Sequence, residues 1–217
     1  MYIGEMALLI TAVLVMTGLV KGITEKLHIN DYIATFTIFL IVLLNVRGGI
    51  KLTRDFSLAI GGVLSLLVGF YVLIRRSEKA SDILFALLSM AGAAGIAFVY
   101  TLHFSSTVRL DPRLLAVLLA LLIGLWSAFA ARRTFASCLF SATVGSFIGV
   151  TIWQIFFRKS GNIGGSYSFA VMWLGAIFGL GLQYLLTKMM RAIKSPRADI
   201  YFEAGELKEE SDEKKNK

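Results

Sequence analysis

Long apolar runs separated by short polar segments dominate the chain, and they lack the polar stripe of a helix at the surface of a soluble protein. A membrane-spanning helix needs about 20 predominantly apolar residues. The pattern therefore predicts an all-α, polytopic bundle of about seven transmembrane helices. The seven runs are Met6–Val20, Tyr32–Val46, Phe56–Ile74, Ile83–His103, Leu114–Ala131, Thr134–Phe157 and Tyr167–Thr187.

The run Tyr32–Val46 is shorter than the lower limit of about 17 residues for a spanning helix. If it does not cross, six spans remain, and the alternate loops carry 9 basic residues on each side of the membrane. With seven spans the loops divide into 11 and 7, and the larger number marks the cytoplasmic side. We therefore expect seven spans in the cell (plasma) membrane, with the N-terminus outside and the C-terminus cytoplasmic.

The two sets of loops are defined by their Lys and Arg residues. The cytoplasmic set contains Lys21, Lys26, Arg75, Arg76, Lys79, Arg132, Arg133 and four residues that follow the last run. The opposite set contains Arg47, Lys51, Arg54, Arg109, Arg113, Arg158 and Lys159.

After Thr187 the composition changes, so we divide the chain into a transmembrane domain (residues 1–187) and a cytoplasmic segment (residues 188–217). Pro196 predicts the end of the last helix, and the mixed charges after Glu206 predict a disordered tail. Basic residues at every third position are predicted to bind anionic lipid headgroups, although ordinary snorkelling at a span end explains them equally well. They are Lys188, Arg191, Lys194 and Arg197.

Small residues recur every four positions in the third and sixth runs, and the seventh run contains a GxxxG pair. Residues at i and i+4 share a helix face, and small side chains let two helices approach closely. Static packing within the monomer is the preferred interpretation, with a moving interface as the alternative. The helix-packing residues are Ser57, Gly61, Ser65, Gly69, Ser137, Ser141, Gly145, Gly149, Gly175 and Gly179.

The first two of these ridges lie 80 residues apart, so runs two to four align loosely with runs five to seven. Two three-span units in tandem have opposite orientations in the membrane, as in many transporters. The spacing thus allows a 3+3 inverted repeat after the first span.

From the third run onward, no Asp, Glu, Lys or Arg lies inside an apolar run. This pattern argues against a proton-coupled pump, because such proteins carry ionisable groups in mid-membrane. Glu5, in the first turn of the first run, is explained by the helix dipole. The candidate buried polar residues are uncharged or neutral, and each lies near the end of a run, where headgroups or water can satisfy it: Asn45, His103, Gln154 and Gln183.

The sequence offers no recognisable catalytic set. Cys138 is the only cysteine, neither histidine pairs with a nucleophile or a second ligand, and no zinc-protease motif occurs. The glycine-rich segment 160–166 does not match a phosphate-binding loop and is predicted to be a flexible connector. We therefore expect no catalytic residue, no metal, no cofactor and no enzymatic activity. The net charge of +8 is assigned to lipid headgroups rather than nucleic acid, because the basic residues lie between apolar runs.

Three segments together resemble a family of uncharacterised prokaryotic integral membrane proteins, classed as a domain of unknown function. They are LTRDFSLAIGG (Leu52–Gly62), LDPR (Leu110–Arg113) and NIGG (Asn162–Gly165), and their order extends over nearly the whole membrane domain.

This chain departs from the family pattern at several polar positions. The family has Asn at the position of Ala59, Pro near Leu66, and acids near Val150 or Thr151 and near Ala170. The resemblance implies a shared membrane architecture. The replacements imply that an activity dependent on those polar groups is lost here.

Two functional hypotheses follow. The first is a non-enzymatic membrane component or scaffold that binds another membrane protein, and it rests on the ridges, the scarcity of buried charge and the basic tail. The second is a small-solute transporter or channel built on the inverted repeat.

Overall fold

A computed structural model describes residues 3–27, 29–77, 79–107, 111–130 and 134–215, with side chains described through Met190 except at residues 105–107. The chain is 83% helical, so the predicted all-α bundle is confirmed at that level. The helices are α1 (Ile3–Met16), α2 (Lys21–Leu27), α3 (Asp31–Val46), α4 (Ile60–Arg76), α5 (Ala80–Thr107), α6 (Pro112–Ala130), α7 (Phe135–Phe140), α8 (Ser146–Trp153) and α9 (Ser166–Lys215).

One π-helical turn (Ser141–Gly145) joins α7 to α8, and a second (Gln154–Arg158) follows α8. Residues 135–158 thus form one continuous helical stretch, referred to below as the α7–α8 segment. Among the described residues it is the most buried of the long apolar helices, with 78% of its apolar window buried.

Four helices are long and apolar enough to cross a membrane: α5, α6, the α7–α8 segment and the first half of α9. The pair α1–α2, whose axes differ by 93°, is a fifth candidate if it counts as one span. The described residues thus provide four to five candidate spans by length and composition, fewer than the about seven predicted. α3 is apolar but has only 16 residues, and α4 has 17.

The third apolar run does not form the uninterrupted helix that the sequence predicts. Its first four residues form strand β2 (Phe56–Ala59), which pairs antiparallel with β1 (Gly49–Lys51) and parallel with β3 (Gly161–Ile163). Ser57 is therefore not part of a helical ridge, because its extended backbone is paired with Lys51 and Asn162. Likewise, part of the predicted flexible connector forms β3. The pairing of β2 with β3 joins residues about a hundred positions apart, which helical periodicity does not reveal.

Contacts define two ends of the bundle within residues 3–182. At the strand end, the three-stranded sheet joins the chain after α3, the start of α4 and the start of α9. At the opposite, basic end, Arg76 at the end of α4 donates from Nε to the carbonyl of Leu27 in α2 over 3.3 Å. Lys26 Nζ lies 4.5 Å from the ring centroid of Phe135 at the start of α7.

The chain divides into two compact units, Met1–Leu182 and Gln183–Lys217, with the division inside α9 rather than at the end of the last apolar run. In the second unit the helix continues through Pro196 to Lys215, where the sequence predicts a helix end and a disordered tail. Proline costs about 3 kcal/mol in a helix interior. The residues that follow are rich in Glu and Lys, which favour helix and oppose that cost.

Candidate functional site

A buried carboxyl group is an unusual polar feature of the helical bundle. Glu5, in the first turn of α1, is only 3% exposed, and its Oε1 accepts a 2.6 Å hydrogen bond from Asn45 Nδ2 of α3. Glu5 Oε2 and Asn45 Oδ1 are buried without a hydrogen-bond partner among the described residues. Ionisable groups enclosed in a membrane domain are costly and usually functional.

The first turns of α1, α4 and α9 lie close to the Glu5–Asn45 pair. A Cβ added to Gly61, in the first turn of α4, would lie 2.5 Å from Asn45 Cβ. One added to Gly4 would lie 2.7 Å from the Cα of Ala170 near the start of α9. The N-terminal ends of α1, α4 and α9 thus lie near Glu5, together with the C-terminal end of α3 that carries Asn45. Glycine at these positions is what allows the backbones to approach so closely.

Strand β2 precedes α4 and strand β3 precedes α9, and the beginnings of these two helices are also in direct contact. Gly164 has a φ of +72°, a left-handed conformation that glycine adopts without steric cost. A Cβ on Gly62 would lie 2.9 Å from Gly164 Cα, so neither glycine can be replaced without displacing the other's backbone. β3 and this turn therefore bring the start of α9 against α4.

A second polar group lies deeper in the bundle. Ser141 Oγ accepts hydrogen bonds from Ser89 Oγ of α5 at 2.8 Å and from Ser127 Oγ of α6 at 3.2 Å. Trp126 Nε1 donates to the carbonyl of Ser89 over 2.9 Å. Three helices are therefore joined by side-chain hydroxyl groups, all fully or nearly fully buried.

The predicted helix-packing residues other than Ser57 are buried, and most lie against a neighbouring helix. In α4, Ser65 accepts a 2.9 Å hydrogen bond from Trp173 Nε1 of α9, and a Cβ on Gly69 would lie 2.8 Å from Thr143 Oγ1. A Cβ on Gly145 or on Gly149 would lie 2.7 Å from an alanine Cβ of α5, that of Ala93 or Ala97 respectively.

Gly175 and Gly179, the GxxxG pair, lie on the face of α9 that meets α6. A Cβ on Gly124 of α6 would approach the carbonyl of Gly175 to 2.8 Å and the nitrogen of Gly179 to 3.0 Å. Ser137 has a different environment: its backbone N–H donates to Thr134 Oγ1 over 3.1 Å, so it belongs to the N-cap of α7.

The four predicted buried polar residues have different surroundings. Asn45 is half-buried and binds Glu5, whereas Gln154 is 4% exposed and its Oε1 has no hydrogen-bond partner within the described part of the chain. Gln183 is buried in α9. His103 is exposed, so its assignment as buried is wrong; it lies near the end of α5, against the ring of Phe104.

The predicted headgroup-binding residues all lie on α9. Lys188 is exposed, with its Nζ 5.1 Å from the ring centroid of Tyr184. The side chains of Arg191, Lys194 and Arg197 lie outside the described residues.

Chemically, the free oxygens of the Glu5–Asn45 pair can accept hydrogen bonds from a small polar group. No group of three or more metal-binding side chains occurs among the described residues. Cys138 is buried.

Sequence reasoning missed Glu5 because an acid in a first turn has an adequate local explanation. The available signal was that Asn45, a carboxamide, lies near the end of the apolar run that follows.

Comparisons with known proteins give no family for this chain: no family model, no curated protein and no solved structure matches it.

Proposed function

We propose that the chain crosses the plasma membrane seven times, with α1, α3 and α4 as short spans. The parallel pairing of β2 with β3 supports this arrangement, because it brings the starts of α4 and α9 to one end of the bundle. The chain between these two starts must then cross an even number of times. α4, α5, α6 and the α7–α8 segment provide four crossings.

Helices α1 and α3 precede α4 and form an antiparallel pair. The chain therefore begins and ends this pair at the strand end of the bundle. Glu5 at the start of α1 binds Asn45 near the end of α3, while α2 joins their other ends. The 14 residues of α1 and the 16 residues of α3 span about 21 Å and about 24 Å, less than the hydrocarbon core of about 30 Å. Local thinning of the bilayer accommodates such a mismatch. An odd total of seven crossings separates the N-terminus from the C-terminus.

The contacts at the basic end support a cytoplasmic assignment for that end. Lys26 and Arg76 come from two loops of the cytoplasmic set, and Phe135 directly follows the loop that carries Arg132 and Arg133. The strand end collects Arg47, Lys51, Arg54, Arg158 and Lys159 from the opposite set. Loops that the positive-inside rule groups together thus lie together.

Single-cysteine labelling tests this topology, because the native Cys138 is fully buried and the parent protein provides the background. An impermeant thiol reagent should label Arg54→Cys in intact cells, and Lys21→Cys only after permeabilisation. A reporter fused after Lys188 should be cytoplasmic and one at Met1 should not. Labelling of Lys21→Cys from outside would mean that α1 and α3 do not cross. Both termini in one compartment would reject an odd number of spans.

For the activity, a non-enzymatic membrane component that binds another membrane protein is best supported. The observation that carries this proposal is the outer face of α5, since only 22% of its apolar window is buried, against 39% for α6 and 50% for α9. Leu84, Leu88 and Val99 are 57–61% exposed, and Gly95 on the same face has no atom within 4 Å of an added Cβ. A small residue among large ones allows a partner helix to approach closely.

Affinity purification in mild detergent tests this role with two matched variants. Gly95→Leu should abolish co-purification of a membrane protein that the parent retains. Gly181→Leu should retain it, because Gly181 of α9 also has no atom within 4 Å of an added Cβ and lies on another helix. Equal recovery with both variants would reject α5 as the binding face.

A small-solute transporter is the second candidate, and the Glu5–Asn45 pair favours it. Glu5 is a buried carboxyl, and the proton relays of transporters use carboxyl groups that are enclosed in the membrane. In proteoliposomes, the parent should dissipate a pH gradient faster than Glu5→Gln does, while Glu25→Gln on the exposed part of α2 should match the parent. Equal rates for the parent, Glu5→Gln and protein-free liposomes would reject proton coupling through Glu5.

The basic residues after Thr187 are proposed to hold this stretch against anionic headgroups, at about 1 kcal/mol for each residue near the surface. A peptide spanning Lys188 to Gly205 should bind anionic vesicles in low salt and dissociate as ionic strength rises. Equal binding to neutral vesicles would assign the anchoring to Ile200, Tyr201 and Phe202 instead.

A further inference from the structure

An apolar cavity of about 230 Å³ lies between helices from both halves of the first compact unit. Residues of α1, α2, α3, α4, α7 and α9 line it, and most of them are aliphatic. The polar side chains in the lining are those of Thr11, Thr24, Thr37, Tyr71 and Trp173. Trp173 and Ala176 of α9 contribute to one wall, and Leu8, Ile41 and Val72 contribute from α1, α3 and α4. A cavity with such a lining does not hold water well, so its natural occupant is apolar.

The cavity opens on the outside of the bundle. Ile33 and Tyr71 belong to its lining and are 62% and 57% exposed. In a bilayer such an opening faces lipid chains, which can enter without crossing a polar region.

Basic residues lie at one end of this cavity. Leu27 of α2 lines it, and the carbonyl of the same residue accepts the hydrogen bond from Arg76 Nε. Arg76 Nη2 is buried and has no hydrogen-bond partner within the described residues. A buried guanidinium nitrogen without a protein acceptor is suited to binding an anionic group, since Arg binds phosphate oxygens well.

The seven residues of α2 contribute both to the apolar lining of the cavity and to the basic charge at its end. Ile23, Thr24 and Leu27 line the cavity, while Lys21 and Lys26 carry charge at the same end of the bundle. α2 lies at 93° to α1, so it runs across the end of the bundle, as an interfacial helix does.

We propose that the cavity binds one acyl chain of an anionic phospholipid, whose phosphate accepts a hydrogen bond from Arg76 Nη2. The apolar lining selects a hydrocarbon chain, the lateral opening admits it from the bilayer, and the basic end selects a negative headgroup. This site is separate from the Glu5–Asn45 pair at the strand end and from the outer face of α5.

The test is lipid retention by the full-length protein. The protein is incubated in detergent with equal amounts of dioleoyl phosphatidylglycerol and dioleoyl phosphatidylcholine, and bound lipid is then measured by native mass spectrometry. The parent should retain phosphatidylglycerol preferentially. Arg76→Gln should lower that retention about tenfold through loss of a charge-assisted hydrogen bond. Lys79→Gln, an exposed charge removed at the same end of the bundle, should behave like the parent.

A variant that fills the cavity distinguishes a site that binds the acyl chain from one that binds only the charged headgroup. Ala34→Phe adds a ring to the half-buried lining of α3 and should reduce retention of both lipids. Thr37→Phe is the substitute if the first variant elutes as an aggregate. Inorganic phosphate should not displace the lipid, because it lacks the apolar chain.

The proposal is overturned if the parent shows no preference between the two lipids, or if Arg76→Gln retains phosphatidylglycerol like the parent. It is also overturned if the folded cavity-filling variant retains both lipids fully, because the chain would then bind elsewhere.

Discussion

The α7–α8 segment and α5 are similar helices by composition, yet they occupy opposite environments. Their candidate spans have 24 and 25 residues, with mean hydropathies of 1.7 and 2.1. The less apolar of the two is 78% buried in its apolar window, and the more apolar one is 22% buried. Apolarity therefore does not decide which helix occupies the centre of this bundle.

The size of the side chains explains the difference in burial between these two helices better than their apolarity does. In water, apolar surface drives burial, but lipid tails are as apolar as leucine, so packing in a bilayer depends on close contact. The α7–α8 segment presents Ser141, Gly145 and Gly149 to its neighbours. Side-chain size also distinguishes the two faces of α5: Ala93 and Ala97 are fully buried, whereas Leu84, Leu87 and Leu88 are exposed.

The π-helical turn at Ser141–Gly145 is a second difference from α5, which is described as regular α-helix. Such a turn inserts one residue and weakens the regular carbonyl ladder. Hydroxyl groups in and directly after this turn donate hydrogen bonds to backbone carbonyls of the same segment. Thr143 Oγ1 donates to Leu139 O at 2.8 Å, and Ser146 Oγ donates to Ala142 O at 2.5 Å.

We expect the largest loss of stability from a bulky side chain at the contact between α5 and the α7–α8 segment. A Cβ on Gly145 would lie 2.7 Å from the carbonyl oxygen of Met90, and a backbone cannot yield as a flexible side chain can. Gly145→Leu should therefore destabilise the protein by about 3 kcal/mol or more and reduce the amount of folded protein. Size-exclusion profiles and thermal melting in detergent measure this.

Gly95→Leu is the matched control, because the same substitution in α5 meets open space. It should accumulate and melt like the parent. If Gly145→Leu did the same, small residues would not determine the burial of the α7–α8 segment, and the comparison between the two helices would lose its basis.

An intermediate effect is expected at the hydroxyl group that α5, α6 and the π-helical turn share. Ser141→Ala removes the acceptor for both Ser89 and Ser127, at a cost of about 1 kcal/mol for interhelical bonds in a membrane. Ser146→Ala should cost less, since that hydroxyl bonds only to carbonyls of its own helix. Unfolding titrations with SDS in mixed micelles give both free energies; equal losses would mean that the hydroxyl network does not connect the helices.

The sequence predicts this contrast only in part. The apolar runs locate α5, α6, the α7–α8 segment and the start of α9 to within a few residues, because hydrophobicity over about 20 residues is a local signal. The ridges locate the small residues but not their partners. Strand β2 is hidden inside an apolar run, since its pairing with β3 depends on a segment about a hundred residues away.

The candidate site was less predictable than the helices. Asn45 and Gln154 stand out as polar residues near the ends of runs, but the sequence does not show that Asn45 meets Glu5. That contact depends on α1 and α3 being antiparallel, which α2 imposes by turning the chain. Helix packing, rather than composition, thus converts an ordinary first-turn acid into a buried carboxyl.

The smallest expected effect lies on the outer face of α5. Leu88 is 59% exposed, so in a micelle most of its surface already contacts detergent, and detergent replaces the methyl groups that Leu88→Ala removes. The free energy of unfolding should fall by less than about 0.5 kcal/mol, the usual range for exposed sites. Val150→Ala at the fully buried position in α8 loses fewer atoms but leaves a cavity, and should cost about 2 kcal/mol. SDS titrations of both variants measure their free energies of unfolding. If Leu88→Ala lowered that free energy more than Val150→Ala, α5 would be buried by protein even in the purified state, for example by a second copy of the chain.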